Sequence, residues 1–248
     1  MIELKNASQI TRMRKAGKIV ADTLALLREV AKPGVTTLEL DRIAEEYIRG
    51  QKAVPAFKGY NGFPATLCTS VNEQVVHGIP SLRKLESGDI ISIDCGAVID
   101  GYFGDAAVTL PIGEVEETLQ KLLKVTEESL MSGIDQAKVG NRLYDISHAV
   151  QTHVETNGFS VVRDYVGHGI GRAMHEDPQI PNFGKPGRGP RLEVGMALAI
   201  EPMVNMGTYE VLTLKDHWTV VTKDGRPSAH FEHTVAITEN GLEILTRC

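Results

Sequence analysis

The sequence contains few cysteines, few aromatic residues and no long apolar run. Its three cysteines, Cys68, Cys95 and Cys248, are an odd number without a C-x-x-C pair, which indicates reduced thiols rather than a disulfide framework. Aromatic residues make up 5% of the chain, with one Trp among them. Residues 1–10 lack the apolar core of a signal peptide or membrane span. We therefore expect a cytoplasmic location and no membrane partner.

The sequence also contains fewer basic than acidic residues. Lys and Arg number 26 against 32 Asp and Glu, so the net charge is −6. An acidic chain lacks the basic surface that binds nucleic acid, and we expect no nucleic-acid specificity. Apolar residues make up 42% and charged residues 23%, as in ordinary globular proteins. The 248 residues are enough to bury a core without disulfides or a structural metal.

Helical patterns open the chain. Apolar and small residues recur at steps of three and four from Ile10 to Leu27, which predicts an amphipathic helix. Ser8 is the predicted N-cap, and the Pro-Gly pair at 33–34 is the predicted stop. A second helix is predicted after Thr36, which stands three residues before Glu39 as in a capping box.

The opening arrangement recurs in the second half of the chain. Two further helical patterns occupy residues 119–154, and the strand-like pattern of residues 87–94 returns at 194–201. We interpret this as an internal duplication, which predicts one domain (1–248) made of related halves at about 1–113 and 114–248. Chance similarity between common patterns is the alternative.

Each copy of the strand pattern ends in an acid, Asp94 in the first and Glu201 in the second. Such an acid is costly in a buried strand unless a cation meets it. The Asp-Gly pair at 100–101 predicts a tight hairpin, in which Asp94 faces Ala107. Asp105 then lies on the same face, diagonal to Asp94 and roughly 7–8 Å away at Cα. Two carboxylates are therefore predicted to converge.

A further acid and a histidine complete the candidate cluster. Glu232 lies in a predicted late strand over residues 229–237, and His168 stands among glycines in residues 167–171. Four acids and one imidazole suit two hard or borderline divalent ions better than a thiolate zinc site. Alternatively, each acid could be a cap, a turn residue or a surface charge. The glycine-rich segment lacks the Walker and Rossmann spacings of phosphate loops, and no serine elbow motif is present.

Several motifs, in order along the chain, together resemble the bacterial type I methionine aminopeptidases. They occupy residues 70–73, 76–80, 88–94, 104–105, 167–171, 175–178, 200–202 and 232–234. The resemblance covers almost the whole chain. It implies an α+β protein with the pita-bread fold, in which two pseudo-symmetric α/β halves surround a curved antiparallel sheet. It also implies hydrolytic removal of the initiator methionine from nascent proteins with a small second residue.

The resemblance further implies roles for individual residues. Two divalent metal ions (Co, Mn, Fe or Zn) would be held by Asp94, Asp105, His168, Glu201 and Glu232. Glu201 would also carry a proton from water to the departing amine, while His77 and His175 would contact the scissile amide as catalytic residues. With these two histidines, the methionine pocket would be lined by Phe57, Tyr60, Phe63, Cys68, Met174 and Trp218. Other members carry Cys and Phe at the positions of Phe57 and Met174.

The resemblance implies nascent polypeptide N-termini as partners and leaves ribosome association open. We expect a monomer.

Two other functions share this fold. A proline-directed aminopeptidase or prolidase would carry an extra N-terminal domain, whereas here helical sequence alone precedes the pocket segment. A catalytically inactive binding module would have lost metal ligands, whereas all five are present.

Overall fold

The computed structural model describes residues 1–247, so Cys248 lies outside the described residues. Its four α-helices are α1 (Ala7–Val30), α2 (Thr37–Gly50), α3 (Glu117–Ile134) and α4 (Leu143–Thr156), and a short 3₁₀ helix covers Tyr60–Gly62. The predicted capping box of α2 is confirmed, because Thr36 and Glu39 bond each other's backbone N–H groups.

The N-cap of α1 differs from the prediction. Asn6, not Ser8, caps the helix, because Asn6 and Gln9 form a reciprocal capping box. The Gln9 N–H donates to Asn6 Oδ1 at 3.0 Å, and the Asn6 N–H donates to Gln9 Oε1 at 2.8 Å. Ser8 is thereby already inside the first turn.

Fifteen strands are assigned in residues 1–247. They are β1 (Val54–Pro55), β2 (Leu67–Val71), β3 (Gln74–Val76), β4 (Ile90–Ile99), β5 (Tyr102–Pro111), β6 (Ser160–Val161), β7 (Gly167–Gly169), β8 (Glu176–Ile180), β9 (Ala197–Ile200), β10 (Met203–Asn205), β11 (Val211–Thr213), β12 (Val220–Thr222), β13 (Ser228–His230), β14 (Glu232–Thr238) and β15 (Gly241–Ile244).

The central sheet has the order β1-β4-β5-β14-β9-β7-β8, with β2 paired to β4 and β15 paired to β14. Its recorded pairings are antiparallel. The predicted hairpin is confirmed, because β4 and β5 pair with Asp94 opposite Ala107. Two further sheets have three strands each, in the orders β13-β10-β6 and β11-β12-β3. Helices and an antiparallel sheet together confirm the α+β class.

The late strand predicted over residues 229–237 is broken at Phe231. β13 joins a small sheet with β10, whereas β14 joins the central sheet, so the chain changes sheets between them. Pro202 makes the matching break between β9 and β10, and its carbonyl accepts from the Phe231 N–H at 3.3 Å. Glu201 and Glu232 therefore both lie where the chain passes from one sheet to another.

The helices bury their apolar sides against these sheets. Leu24 and Leu27 of α1 share a core with Leu40 of α2 and Ile93 of β4. Gly17 allows α1 to pack closely against the backbone of Leu245, since a Cβ at position 17 would lie 2.3 Å from the Leu245 carbonyl oxygen. Within residues 1–247, we find no helix with both the length and the apolar character needed to cross a bilayer.

Candidate metal centre and substrate pocket

The five candidate ligands come together at the centre of the main sheet. Potential ligand atoms of Asp105 on β5, His168 on β7 and Glu232 on β14 lie within 4.8 Å of one another. His168 Nε2 is 3.6 Å from Glu201 Oε1 and 3.9 Å from Asp105 Oδ2. Asp94 lines the same cavity. The contact between β5 and β14, with Ala107 opposite Glu232, joins the acids of the two halves.

The surroundings of the four acids disfavour their charged forms. Desolvation raises the pKa of Asp94 to about 7, and it raises the pKa of Asp105, Glu201 and Glu232 well above their usual range. Neighbouring carboxylates add to the shift of the last three acids. Four acids so close together and so poorly hydrated are stable as anions only when cations lie between them.

Unpartnered oxygens point to the same conclusion. Within the described part of the chain, Asp94 Oδ1, Asp105 Oδ1 and Glu232 Oε1 are buried without a hydrogen-bond partner. A buried carboxylate oxygen without a partner is costly. Divalent cations prefer such oxygen donors, so these atoms fit bound metal ions.

His168 is held in the form that a metal ligand needs. Its Nδ1 lies 2.9 Å from the Gly169 carbonyl oxygen, which can only accept, so Nδ1 carries the proton and Nε2 presents a lone pair to the acids. Burial lowers the pKa of His168 to about 4, so the ring is neutral. Glycines flank it because space is short: a Cβ on Gly167 would lie 2.5 Å from the Ala199 carbonyl oxygen. Close strand packing, rather than phosphate binding, therefore accounts for the glycine-rich segment.

Two further histidines lie at the cavity. Burial lowers the pKa of His77 to about 4 and also lowers that of His175, so both rings are neutral at physiological pH. The Tyr60 hydroxyl is hydrogen-bonded to His175 Nδ1 at 2.8 Å, and the His175 and His168 ring centroids are 4.3 Å apart. His77 meets the edge of Tyr165, with ring centroids 5.6 Å apart.

The cavity beside the acids has a volume of about 190 Å³. Phe63 and Trp218 meet edge to face at 5.1 Å in its wall. Burial and the charge of Asp94 raise the pKa of the Cys68 thiol, so this side chain is neutral and apolar. The full lining comprises Phe57, Tyr60, Asn61, Phe63, Cys68, His77, Asp94, Asp105, His168, His175, Glu201, Trp218 and Glu232.

Met174 is outside this lining set although the sequence suggested it as a pocket residue. It is 1% exposed and packs with Phe57 over Gly96, where a Cβ would lie 2.9 Å from the Met174 methyl carbon and 2.7 Å from a Phe57 ring carbon. Met174 therefore supports the wall through Phe57.

Two residues near the acids were not expected from the sequence. Asn61 lines the cavity. His230 is 2% exposed, and its Nε2, which lacks a hydrogen-bond partner in residues 1–247, lies 3.7 Å from Glu201 Oε2. Glu201 thus has His168 on one side and His230 on the other. The available signal was a histidine only two residues before Glu232 in the sequence.

Comparison with known proteins relates this site to a metallopeptidase family. Residues 11–239 match the family model for metallopeptidase family M24. A methionine aminopeptidase of Clostridium acetobutylicum is 61% identical, with 100% of each chain covered. The crystal structure of methionine aminopeptidase from Thermotoga maritima superposes with a TM-score of 0.98 at 52% identity, again with 100% of each chain covered.

The fold extends to more distant proteins. Prolidase from Pyrococcus furiosus matches with a TM-score of 0.79 at 23% identity, covering 99% of this chain and 65% of that one. A likeness at this identity concerns the fold alone. Together with the Thermotoga maritima structure, it confirms the pita-bread arrangement expected from the sequence motifs.

Proposed function

Because this chain belongs to metallopeptidase family M24, we propose that it is an aminopeptidase that removes the N-terminal methionine from newly made proteins whose second residue is small. The main observation in favour of this function is that four acids and His168 converge beside an aromatic cavity. Full-length relatives that bear the name methionine aminopeptidase support the methionine preference.

Asp94, Asp105, His168, Glu201 and Glu232 would hold two divalent ions, drawn from Mn, Fe, Co and Zn, since carboxylate and imidazole ligands accept all four. When bound, the ions lower the pKa of water and polarise the scissile carbonyl. The unpartnered oxygens of three of these acids support this ligand set.

Glu201 would move the proton. Its buried carboxyl group lines the cavity beside the other acids, where it would take a proton from the attacking water and return it to the leaving amine. His168 and His230 on either side would limit its rotation.

The two neutral histidines would stabilise charge on the substrate. If the Tyr60 hydroxyl donates to His175 Nδ1, the proton of His175 is on Nε2, which can then donate to the scissile amide as negative charge develops on its oxygen. His77 would donate from the other part of the cavity, where it lies against Tyr165.

Methionine would occupy the aromatic part of the cavity. Phe57, Tyr60, Phe63, Cys68 and Trp218 form a largely apolar wall, and an unbranched thioether makes favourable contacts with aromatic rings. The free amine of the substrate would face the acids. A branched or cyclic first residue would fill this cavity less well.

We also propose that the chain is one catalytic domain made of halves at 1–113 and 114–248. The strand order supports this, since β5, β4 and β2 follow one another on one side of the β5–β14 contact, and β14, β9 and β7 on the other. The enzyme would act as a cytoplasmic monomer on nascent N-termini, and sedimentation with ribosomes tests whether it docks there.

Cleavage of two tripeptides tests the function. The metal-reconstituted protein should hydrolyse Met-Ala-Ser much faster than Ala-Pro-Ser, and Glu201→Gln should abolish both activities. Faster hydrolysis of Ala-Pro-Ser would instead indicate a proline-directed peptidase. Absence of cleavage with every metal would indicate an inactive binding module.

A further inference from the structure

Lys5 is a buried ammonium near the active site that takes no part in the proposed chemistry. It precedes α1, and its side chain is 2% exposed. Its Nζ forms an ion pair with Glu176 Oε2 and donates to the Glu3 carbonyl oxygen at 2.9 Å. Its own N–H donates to the Gly195 carbonyl oxygen at 2.7 Å. A buried charge with this many partners has a defined position.

The other oxygen of Glu176 organises the loop between β7 and β8. Glu176 Oε1 accepts from the N–H groups of Arg172 at 2.7 Å and Ala173 at 3.1 Å. Lys5 also packs directly against this loop, since a Cβ on Gly171 would lie 2.3 Å from Lys5 Cε. The ammonium and the carboxylate together hold the backbone of residues 171–173.

The same loop carries His175 into the cavity. His175 immediately precedes Glu176 and lies between the Tyr60 hydroxyl and the His168 ring. The His175 side chain is partly open to solvent, so its own packing restrains it less than that of a core residue. The position of its ring therefore depends on the backbone that Glu176 holds.

We propose that Lys5 is a positioning residue, which acts through Glu176 to fix the β7–β8 loop and thereby the imidazole of His175. The inference rests on the proposed function of His175 as a donor to the scissile amide. A misplacement of about 1 Å at such a group can lower the rate by roughly a hundredfold. The N-terminal segment thus contributes to catalysis without touching substrate.

Lys5→Met tests the role, with Lys5→Arg as the conservative variant. Lys15→Met is a matched control, since it removes an exposed ion pair (2.9 Å) between Lys15 of α1 and Asp100. Lys5→Met should lower kcat for Met-Ala-Ser by roughly ten- to a hundredfold with a smaller change in KM. Lys5→Arg should recover part of the loss, and Lys15→Met should match wild type.

Hydrogen exchange of the metal-free protein gives a readout independent of activity. The amides of Arg172 and Ala173 should exchange faster in Lys5→Met, while the buried amides of α3 keep wild-type protection. Folded Lys5→Met with wild-type kcat and wild-type exchange at these two amides would overturn the proposal. If wild type itself fails to cleave Met-Ala-Ser, the proposed function fails, and the exchange data still decide whether Lys5 holds the loop.

Two double variants cover the case in which Lys5→Met does not fold because Glu176 is left unpaired. Lys5→Met with Glu176→Gln removes both charges and keeps an oxygen for the two amides, whereas Lys5→Met with Glu176→Leu removes that oxygen. The Gln variant should have the higher kcat and the slower exchange at Arg172 and Ala173. Equal values in both double variants would contradict the mechanism.

Discussion

Replacing Asp94 with Asn should stabilise the metal-free protein at neutral pH. Asp94 lies on β4 with Oδ1 buried and unpartnered among residues 1–247, and desolvation raises its pKa from 3.8 to about 7. A carboxyl group whose pKa is higher in the folded state than in the unfolded state stabilises the folded protein fully only at pH values below its unfolded-state pKa. That stability is lost as the pH rises through the folded value.

The size of the effect follows from the shift. A rise from 3.8 to about 7 corresponds to at most about 4 kcal/mol. The free energy of unfolding of Asp94→Asn, minus that of wild type, should therefore increase by up to about 4 kcal/mol between about pH 4 and about pH 7.5. Burial lowers the pKa values of His77 and His168 to about 4, so these histidines contribute more to the stability of the folded protein as the pH rises. Their contribution is the same in wild type and Asp94→Asn and cancels in the difference.

Urea unfolding of chelator-treated protein at several pH values measures this difference. Asp100→Asn is the control, because Asp100 is exposed and its hydrogen bond with Lys15 lowers its pKa, so its effect should be small and opposite in sign. Added Mn²⁺ should reverse the order of wild type and Asp94→Asn, since the variant loses a ligand. A difference that stays flat with pH, or a metal-free wild type more stable than Asp94→Asn at neutral pH, would refute the reasoning.

Three other substitutions, with Asp224→Asn as a control, probe the proton carrier, the pocket and the packing. Glu201→Gln should lower kcat by roughly a hundredfold or more, measured on Met-Ala-Ser, whereas Asp224→Asn, in a turn, should retain wild-type turnover. Trp218→Ala should raise KM for the same peptide by at least roughly tenfold, because it removes the edge contact in the pocket wall; an unchanged KM would argue against the pocket assignment. Gly17→Ala should destabilise the protein by roughly 1–3 kcal/mol in urea unfolding, since its Cβ would meet a backbone carbonyl 2.3 Å away.

The first-half acids could be placed from local sequence alone. The Asp-Gly turn at residues 100–101 sets the β4–β5 register, and that register puts Asp94 opposite Ala107 and Asp105 nearby. By contrast, the approach of Glu232 depends on the pairing of β14 with β5. Such long-range pairing leaves no periodic signal in either strand, so the motif resemblance was needed to join the two halves.

The differences from the sequence-based expectations also have physical causes. Periodicity cannot show that a strand changes sheets, and so the break at Phe231 was missed. Asn6 and Ser8 were both possible N-caps of α1. The reciprocal hydrogen bonds between Asn6 and Gln9 place the cap at Asn6. Lys5 acts through Glu176, which is distant in sequence, and single-sequence patterns carry no trace of such a contact.

Mass spectrometry of an intact protein substrate tests the central claim most directly. The substrate begins with Met followed by Ala and is incubated with chelator-treated enzyme and with the same enzyme after divalent metal is restored. The restored enzyme should remove one methionine and stop, and the chelated enzyme should leave the substrate unchanged. Equal removal by both preparations, or an intact N-terminal methionine with the restored enzyme, would contradict a metal-dependent methionine aminopeptidase.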